Sequence, residues 1–177
     1  MDYNIFQQIH GLARLNSTLD FIMSTLSTWG YIAFILAIIV LPFLPSKRKL
    51  GLLGFLALLI TLGLNRILKW MIDRPRPFVD HDIDILVPKE PSPSFPSDQA
   101  LIAGVFVTIY CLRFADLKLR LLAISLAVLV VISRVFVGHH YPADVVAGMF
   151  LGIIIVAIVH KIGMQILNKQ AKAKISA

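Results

Sequence analysis

Apolar residues gather along this chain into five long runs, approximately 21–44, 50–69, 98–112, 119–134 and 143–160, separated by short polar stretches. A helix that crosses a bilayer needs roughly 20 mostly apolar residues, so each run is expected to be a spanning helix. The third and fourth are short, which places their polar flanks close to the bilayer. Trp29-Gly30 lies inside the first run and marks a place for that helix to bend or break. Before it, Ile5, Phe6, Ile9, Leu12 and Ala13 fall on one helical face, with Asp2, Gln7, Gln8 and Arg14 mostly on the other, the pattern of an amphipathic helix lying in the interface. Ser17 followed by Asp20 fits a capping box, so a new helix is expected to start there. The expected fold class is all-α: a polytopic membrane helical bundle of about five spanning helices. Residues 1–177 would form a single membrane-embedded domain, with 1–16 as the interfacial helix and 161–177 as a cytoplasmic tail.

Composition agrees with a lipid solvent. The 177 residues are 58% hydrophobic, with a mean hydropathy of +0.81, more apolar surface than a soluble domain of this size can bury. The net charge of +7 does not point to nucleic acid, because the basic residues sit in short groups at the ends of the apolar runs. Ten of the seventeen lie in two connections and the tail, as Lys47, Arg48, Lys49, Arg113, Lys118, Arg120, Lys161, Lys169, Lys172 and Lys174. By the positive-inside bias these segments are cytoplasmic, and the loop 69–97 and the turn 139–142 face the other side. A single cysteine, Cys111, excludes a disulfide framework and a Cys-based metal site. The first fifteen residues carry Asp2, Gln7, Gln8, His10 and Arg14 in place of a continuous apolar core, so no cleavable signal peptide is expected.

Three polar clusters need a further explanation. The first runs from Lys69 to Arg76-Pro77 and follows an apolar helix that already holds Asn65 and Arg66. A charge at this depth costs roughly 2.5 kcal/mol or more unless it faces a polar cavity. Either these cations face an anion, or Lys69 snorkels to the headgroups and Asp73, four residues on, neutralises it. The second cluster, Ser92-Pro-Ser-Phe-Pro96-Ser97-Asp98-Gln99, opens the third span, where exposed backbone N–H groups at a helix start can bind phosphate. An ordinary N-cap at Ser97 is the simpler reading of that residue alone. The third cluster contains Ser133, Arg134, His139, His140, Pro142 and Asp144. Asp144 lies one helical turn from His140, close enough to accept a hydrogen bond from one imidazole nitrogen and activate the other. His10 and His160 have no such partner and read as structural. Gly148 and Gly152 continue on the Asp144 face as a small-xxx-small pair that admits a closely packed helix. Even numbers of crossings separate the clusters, so all three reach one membrane face.

The spacing Lys69-x6-Arg76-Pro77, then Pro96-Ser97, then Ser133-Arg134-x5-His140-x3-Asp144 resembles the type 2 phosphatidic acid phosphatase superfamily from about residue 50 to 152. The Ile-His-Gly-Leu, Ser-Phe-Pro-Ser-Asp and Gly-His-His-Tyr-Pro segments look particularly like its bacterial undecaprenyl-diphosphate phosphatases of the bacitracin-resistance type. The resemblance implies an active site at the outer leaflet of a bacterial plasma membrane, with no cofactor or metal ion and a polyprenyl diphosphate lipid as partner. It implies that Lys69, Arg76 and Arg134 hold the transferred phosphate, helped by Ser97 and its neighbour Asp98. His140 would attack phosphorus, and Asp144 would fix the tautomer of His140.

One position departs from the family pattern. The second motif ordinarily ends in a His that protonates the leaving group, and this chain has Gln99, which cannot deliver a proton at neutral pH. An introduced change that slows turnover is the favoured explanation; a natural variant using Asp98, His81 or His139 is the other. Hydrolysis of undecaprenyl diphosphate is the leading expectation. A phosphatase for phosphatidylglycerol phosphate or another lipid phosphate, and a catalytically silent lipid-diphosphate binder or transporter, are the alternatives. A cation channel is disfavoured because the clustered charges are positive.

Overall fold

The structure, a computed structural model, describes residues 1–175. Among the described residues all regular structure is helical. Helix α1 spans Asp2–His10. Helix α2, Ser17–Thr25, passes through a π-helical turn, Leu26–Gly30, into α3, Tyr31–Val40. The expected irregularity at Trp29-Gly30 is thus a widened turn, and it sets the carbonyl of Ser27 facing the bundle interior, where Arg134 takes it. Helix α4 covers Arg48–Ile72 and a single turn, α5, covers Pro77–Asp80. Helices α6, Asp98–Arg113, α7, Leu117–Phe136, and α8, Pro142–Ile175, complete the chain.

Among the described residues four helical stretches are long and apolar enough to cross a membrane: Ser17–Phe43, Arg48–Asp80, Leu117–Phe136 and Pro142–Ala173. Helix α6, the remaining expected span, has 16 residues and is only about 24 Å long, less than a hydrocarbon core. It can be short because protein, not lipid, surrounds it. Leu101, Ile102, Val105, Phe106, Val107 and Ile109 are all buried, and α6 packs on α3, α4, α7 and α8. An α-helix that is apolar all round belongs in such a centre. The outer helices turn Trp29, Leu56, Ile67, Trp70 and Phe150 outward, as a lipid solvent requires.

The closest helix approach is between α6 and α8. A Cβ at Gly148 would stand 2.6 Å from the backbone oxygen of Ser97, and one at Gly152 would strike the oxygen of Leu101. These two glycines bring the start of α8 against the start of α6, and so His140 and Asp144 beside Ser97. Helix α8 has 34 residues, about 51 Å, so the stretch expected as a tail continues as helix. The last two residues of that tail, and the side chain of Lys174, lie outside the described residues.

Two expectations at the N-terminal end are corrected. The cap of α2 is Asn16, whose side chain accepts the Leu19 N–H at 3.1 Å; Asp20 instead accepts the Arg14 N–H through both oxygens. Asp2 is half-buried and paired. Phe6 is fully buried and rolls α1 so that Asp2 turns towards α8 and Arg74.

Candidate functional site

The polar side chains of the interior collect at one end of the bundle, where α4 ends, α6 and α8 begin and α7 ends. Arg76, Ser94, Ser97, Arg134, His139, His140 and Asp144 are all buried there. Local sequence explains each placement. Asp73 adopts the left-handed conformation that ends α4, one that Asp tolerates better than most residues. Pro75 and Pro77 then flank Arg76 and favour the extended backbone it adopts, with φ −78° and ψ 157°. The loop 81–97 is fastened over the site by hydrogen bonds from the Ser94 N–H to the Arg74 carbonyl, 2.8 Å, and from the Leu86 N–H to the Val137 carbonyl, 3.2 Å.

His140 is fully buried and its two nitrogens have different neighbours. Arg76 Nη1 stands 3.1 Å from Nε2. A guanidinium only donates, so Nε2 carries the lone pair and Nδ1 the proton. That proton faces Asp144, whose Oδ2 is 3.6 Å from Nδ1. The expected hydrogen bond between them is therefore not closed at this distance. The reason is competition: Oδ2 accepts the Tyr141 N–H at 2.9 Å and Oδ1 accepts from Arg74 Nη1 at 2.7 Å. Burial first, then the charges of Arg76, Arg134 and Lys69, hold the His140 pKa well below the ordinary 6.5. The result is a neutral imidazole whose lone-pair nitrogen points at an arginine.

Lys69 does not pair with Asp73. It forms an ion pair with Asp98 across the α4–α6 contact, and Asn65 Nδ2 donates to the same carboxylate at 2.6 Å. Asp98 thus holds a phosphate-binding candidate in place, a different job from the direct phosphate contact expected of it. Ser97 caps α6, its hydroxyl accepting the Ala100 N–H at 3.5 Å. Its own N–H, expected as a phosphate donor, goes to the Asp144 carbonyl at 3.1 Å, because the glycine contact presses α8 onto this turn.

Arg134 is set behind the histidines. It donates through Nη1 to the Ser27 carbonyl at 2.8 Å and to the Ser27 hydroxyl, and through Nη2 to His139 Nδ1 at 2.8 Å. Its Nε makes no hydrogen bond among the described residues, which leaves one buried donor for an anion. His139 completes a bridge, since Nε2 donates to the Val87 carbonyl at 2.7 Å. With both nitrogens committed, and its pKa pushed down to about 3 by burial and by Arg134, His139 is no proton donor. His81 stacks on Tyr3 at 3.8 Å and meets Tyr141 edge-on. Gln99 lies in the first turn of α6, partly exposed. Its side chain makes no hydrogen bond among the described residues.

Beside this cluster opens a pocket of about 430 Å³ whose polar lining is Arg66, Lys69, Arg76, Lys89, Ser92 and Asp98. Among the described residues no group of three His, Cys, Asp or Glu side chains is arranged to hold a metal ion; the charged lining of the pocket is two lysines, two arginines and Asp98. Three positions of the site were not recognisable one residue at a time. Arg74 bridges Asp144 and Asp2, the latter at 2.8 Å. Ser27 seats Arg134, and Lys89 joins the pocket from a loop without a motif. The one sequence signal for Lys89 was a cation on the side where the charge bias predicts few. Replacing Arg74 by Met is expected to cost about 2 kcal/mol, less than the full penalty of stranding a buried carboxylate because the Tyr141 N–H still serves it. Thermal unfolding of the purified protein measures this, and an unchanged Tm would remove Arg74 from the network.

The sequence model of the PAP2 superfamily matches residues 49–166. The undecaprenyl-diphosphatase BcrC of Bacillus subtilis is 32% identical over 157 residues, covering 88% of this chain and 80% of the relative. The crystal structure of Aquifex aeolicus LpxE superposes with a TM-score of 0.79 at 26% identity, covering 90% of this chain and 94% of the other. That of a PAP2 type phosphatidylglycerolphosphate phosphatase from Bacillus subtilis gives 0.75 at 30% identity, covering 93% and 85%.

Proposed function

This chain belongs to the PAP2 superfamily and is a multi-pass membrane phosphatase, and from that premise we propose that it hydrolyses undecaprenyl diphosphate to undecaprenyl phosphate and inorganic phosphate without a metal ion. The observation that carries the reading is the orientation of His140: Nε2 faces Arg76 with its lone pair while Nδ1 faces Asp144. Nε2 attacks the terminal phosphorus. The N–P bond forms as the bridging P–O bond breaks, and the monophosphate lipid leaves with the electron pair. Asp144 stabilises the positive charge that develops on the imidazole, and water then breaks the N–P bond to release phosphate. Lys69, Arg76 and Arg134 neutralise the equatorial oxygens, a role that divalent cations have in other phosphoryl-transfer enzymes.

The surroundings suit a lipid. Trp70 borders the pocket and is 83% exposed on a face of α4 that also presents Ile67 and Met71, so a headgroup in the pocket leaves its polyprenyl chain along an apolar, lipid-facing wall. The likeness to BcrC supports the diphosphate substrate. The charge bias of the connections supports a site on the outer face with the C-terminus cytoplasmic, and the likeness to bacterial relatives supports a bacterial plasma membrane as the location. Carrier recycling for cell-wall synthesis and bacitracin resistance are the roles this implies. Phosphate release from a polyprenyl diphosphate is expected to persist in EDTA; loss with the chelator and recovery with Mg²⁺ would reject the metal-free mechanism. The likeness to the phosphatidylglycerolphosphate phosphatase favours a second reading, and competition between the two lipids separates them.

A further inference from the structure

Of the four cations that line the pocket, two lie outside the motifs of the phosphoryl site: Arg66, one turn before Lys69 on α4, and Lys89, across the opening on the loop 81–97. Lys69 is committed to Asp98, and Arg76 to His140, the His139 carbonyl and Ser92. Arg66 and Lys89 make no hydrogen bond or ion pair among the described residues. Against four cations the pocket holds one carboxylate, Asp98. The excess of three positive charges is more than a phosphate monoester dianion neutralises, and it matches a diphosphate ester. Like-charge crowding is felt at the rim, where burial, then Arg76, Arg134 and Lys69, push the Lys89 pKa down. An anion beside Lys89 relieves it.

We propose that Arg66 and Lys89 form a second anionic subsite that binds the phosphate which stays on the lipid, making this pocket selective for diphosphates over monophosphates. The inference rests on the phosphatase reading above and adds the leaving-group side of the site. It also accounts for Gln99. A phosphate monoester is a far weaker base than an alkoxide, so its departure needs charge neutralisation more than a proton. Two cations facing the bridging and leaving oxygens supply that neutralisation.

Isothermal titration of the full-length protein in detergent micelles, with inorganic pyrophosphate and inorganic phosphate as probes, tests the proposal. Wild type is expected to bind pyrophosphate more tightly than phosphate. Lys89→Met is expected to weaken pyrophosphate by about tenfold or more and phosphate by less than about threefold. Arg66→Met should act in the same direction, Lys89→Arg should restore the preference, and Lys47→Met at the opposite end should change neither. Equal weakening of both anions, or no weakening of either, would overturn the subsite and leave the phosphoryl site standing. Wild type that binds neither anion would overturn the phosphatase reading and the subsite with it.

Discussion

Replacing His140 by alanine is expected to lower kcat for phosphate release by about 10⁴-fold or more, the scale of losing a nucleophile that acts as part of a unit. The side chain is fully enclosed, and its nitrogens are the ones placed between Arg76 and Asp144, so no neighbour can take over. His139 is adjacent in sequence but donates to Val87 and accepts from Arg134. A phosphorylated intermediate trapped by acid quench should be present with His140 and absent from the alanine variant; full activity in that variant would end the nucleophile assignment. The same residue fixes the acid side of the pH profile. The nucleophile must be neutral, and its pKa lies well below the ordinary 6.5. Activity should therefore persist as pH falls through 6.5 and decline only when the lowered pKa is reached.

Replacing Gln99 by histidine is expected to raise hydrolysis of a phosphomonoester lipid by about 10²- to 10⁴-fold, the usual contribution of a general acid. Diphosphate hydrolysis should rise much less, because its leaving group departs without a proton. The position is suited to the change: Gln99 stands in the first turn of α6, one residue after the Asp98 that holds Lys69, and its side chain is bound to no described residue. Phosphate release from matched monophosphate and diphosphate lipids measures both arms. Equal gains on the two would show that the missing acid limits both reactions. No gain on either would point to a chain that binds its lipid without turning it over.

Much of this architecture is legible in the sequence because lipid and phosphate impose simple rules. The apolar runs marked where the helices lie, with α8 extending well beyond its run to Ile175, since a helix facing lipid must be apolar around most of its circumference. Crossing parity gave one shared end for the three clusters, and ion pairs and hydrogen bonds join them there. The spacing of Gly148 and Gly152 marked α8 for a close helix contact, and the fold supplies α6 as the partner, because only glycine lets two backbones approach so closely. The family followed from Lys69, Arg76, Ser97, Arg134, His140 and Asp144 in order, and residues 49–166 match it.

What only the tertiary structure decided is how those residues are shared. Sequence spacing suggested Lys69 with Asp73 and Asp144 with His140, each one helical turn apart. In space Lys69 is held by Asp98, 29 residues on, and both Asp144 oxygens are claimed by Arg74 and Tyr141. The solvent-facing Asp2 of the helical wheel turns inward to Arg74. Local periodicity can say which residue types share an end of the bundle, since backbone geometry sets their level. It cannot say which cation meets which carboxylate, because those pairings are set by helix packing between distant parts of the chain. For the same reason Lys89 reads as one charge in a proline-rich loop until the fold brings it to the pocket beside Lys69 and Arg76.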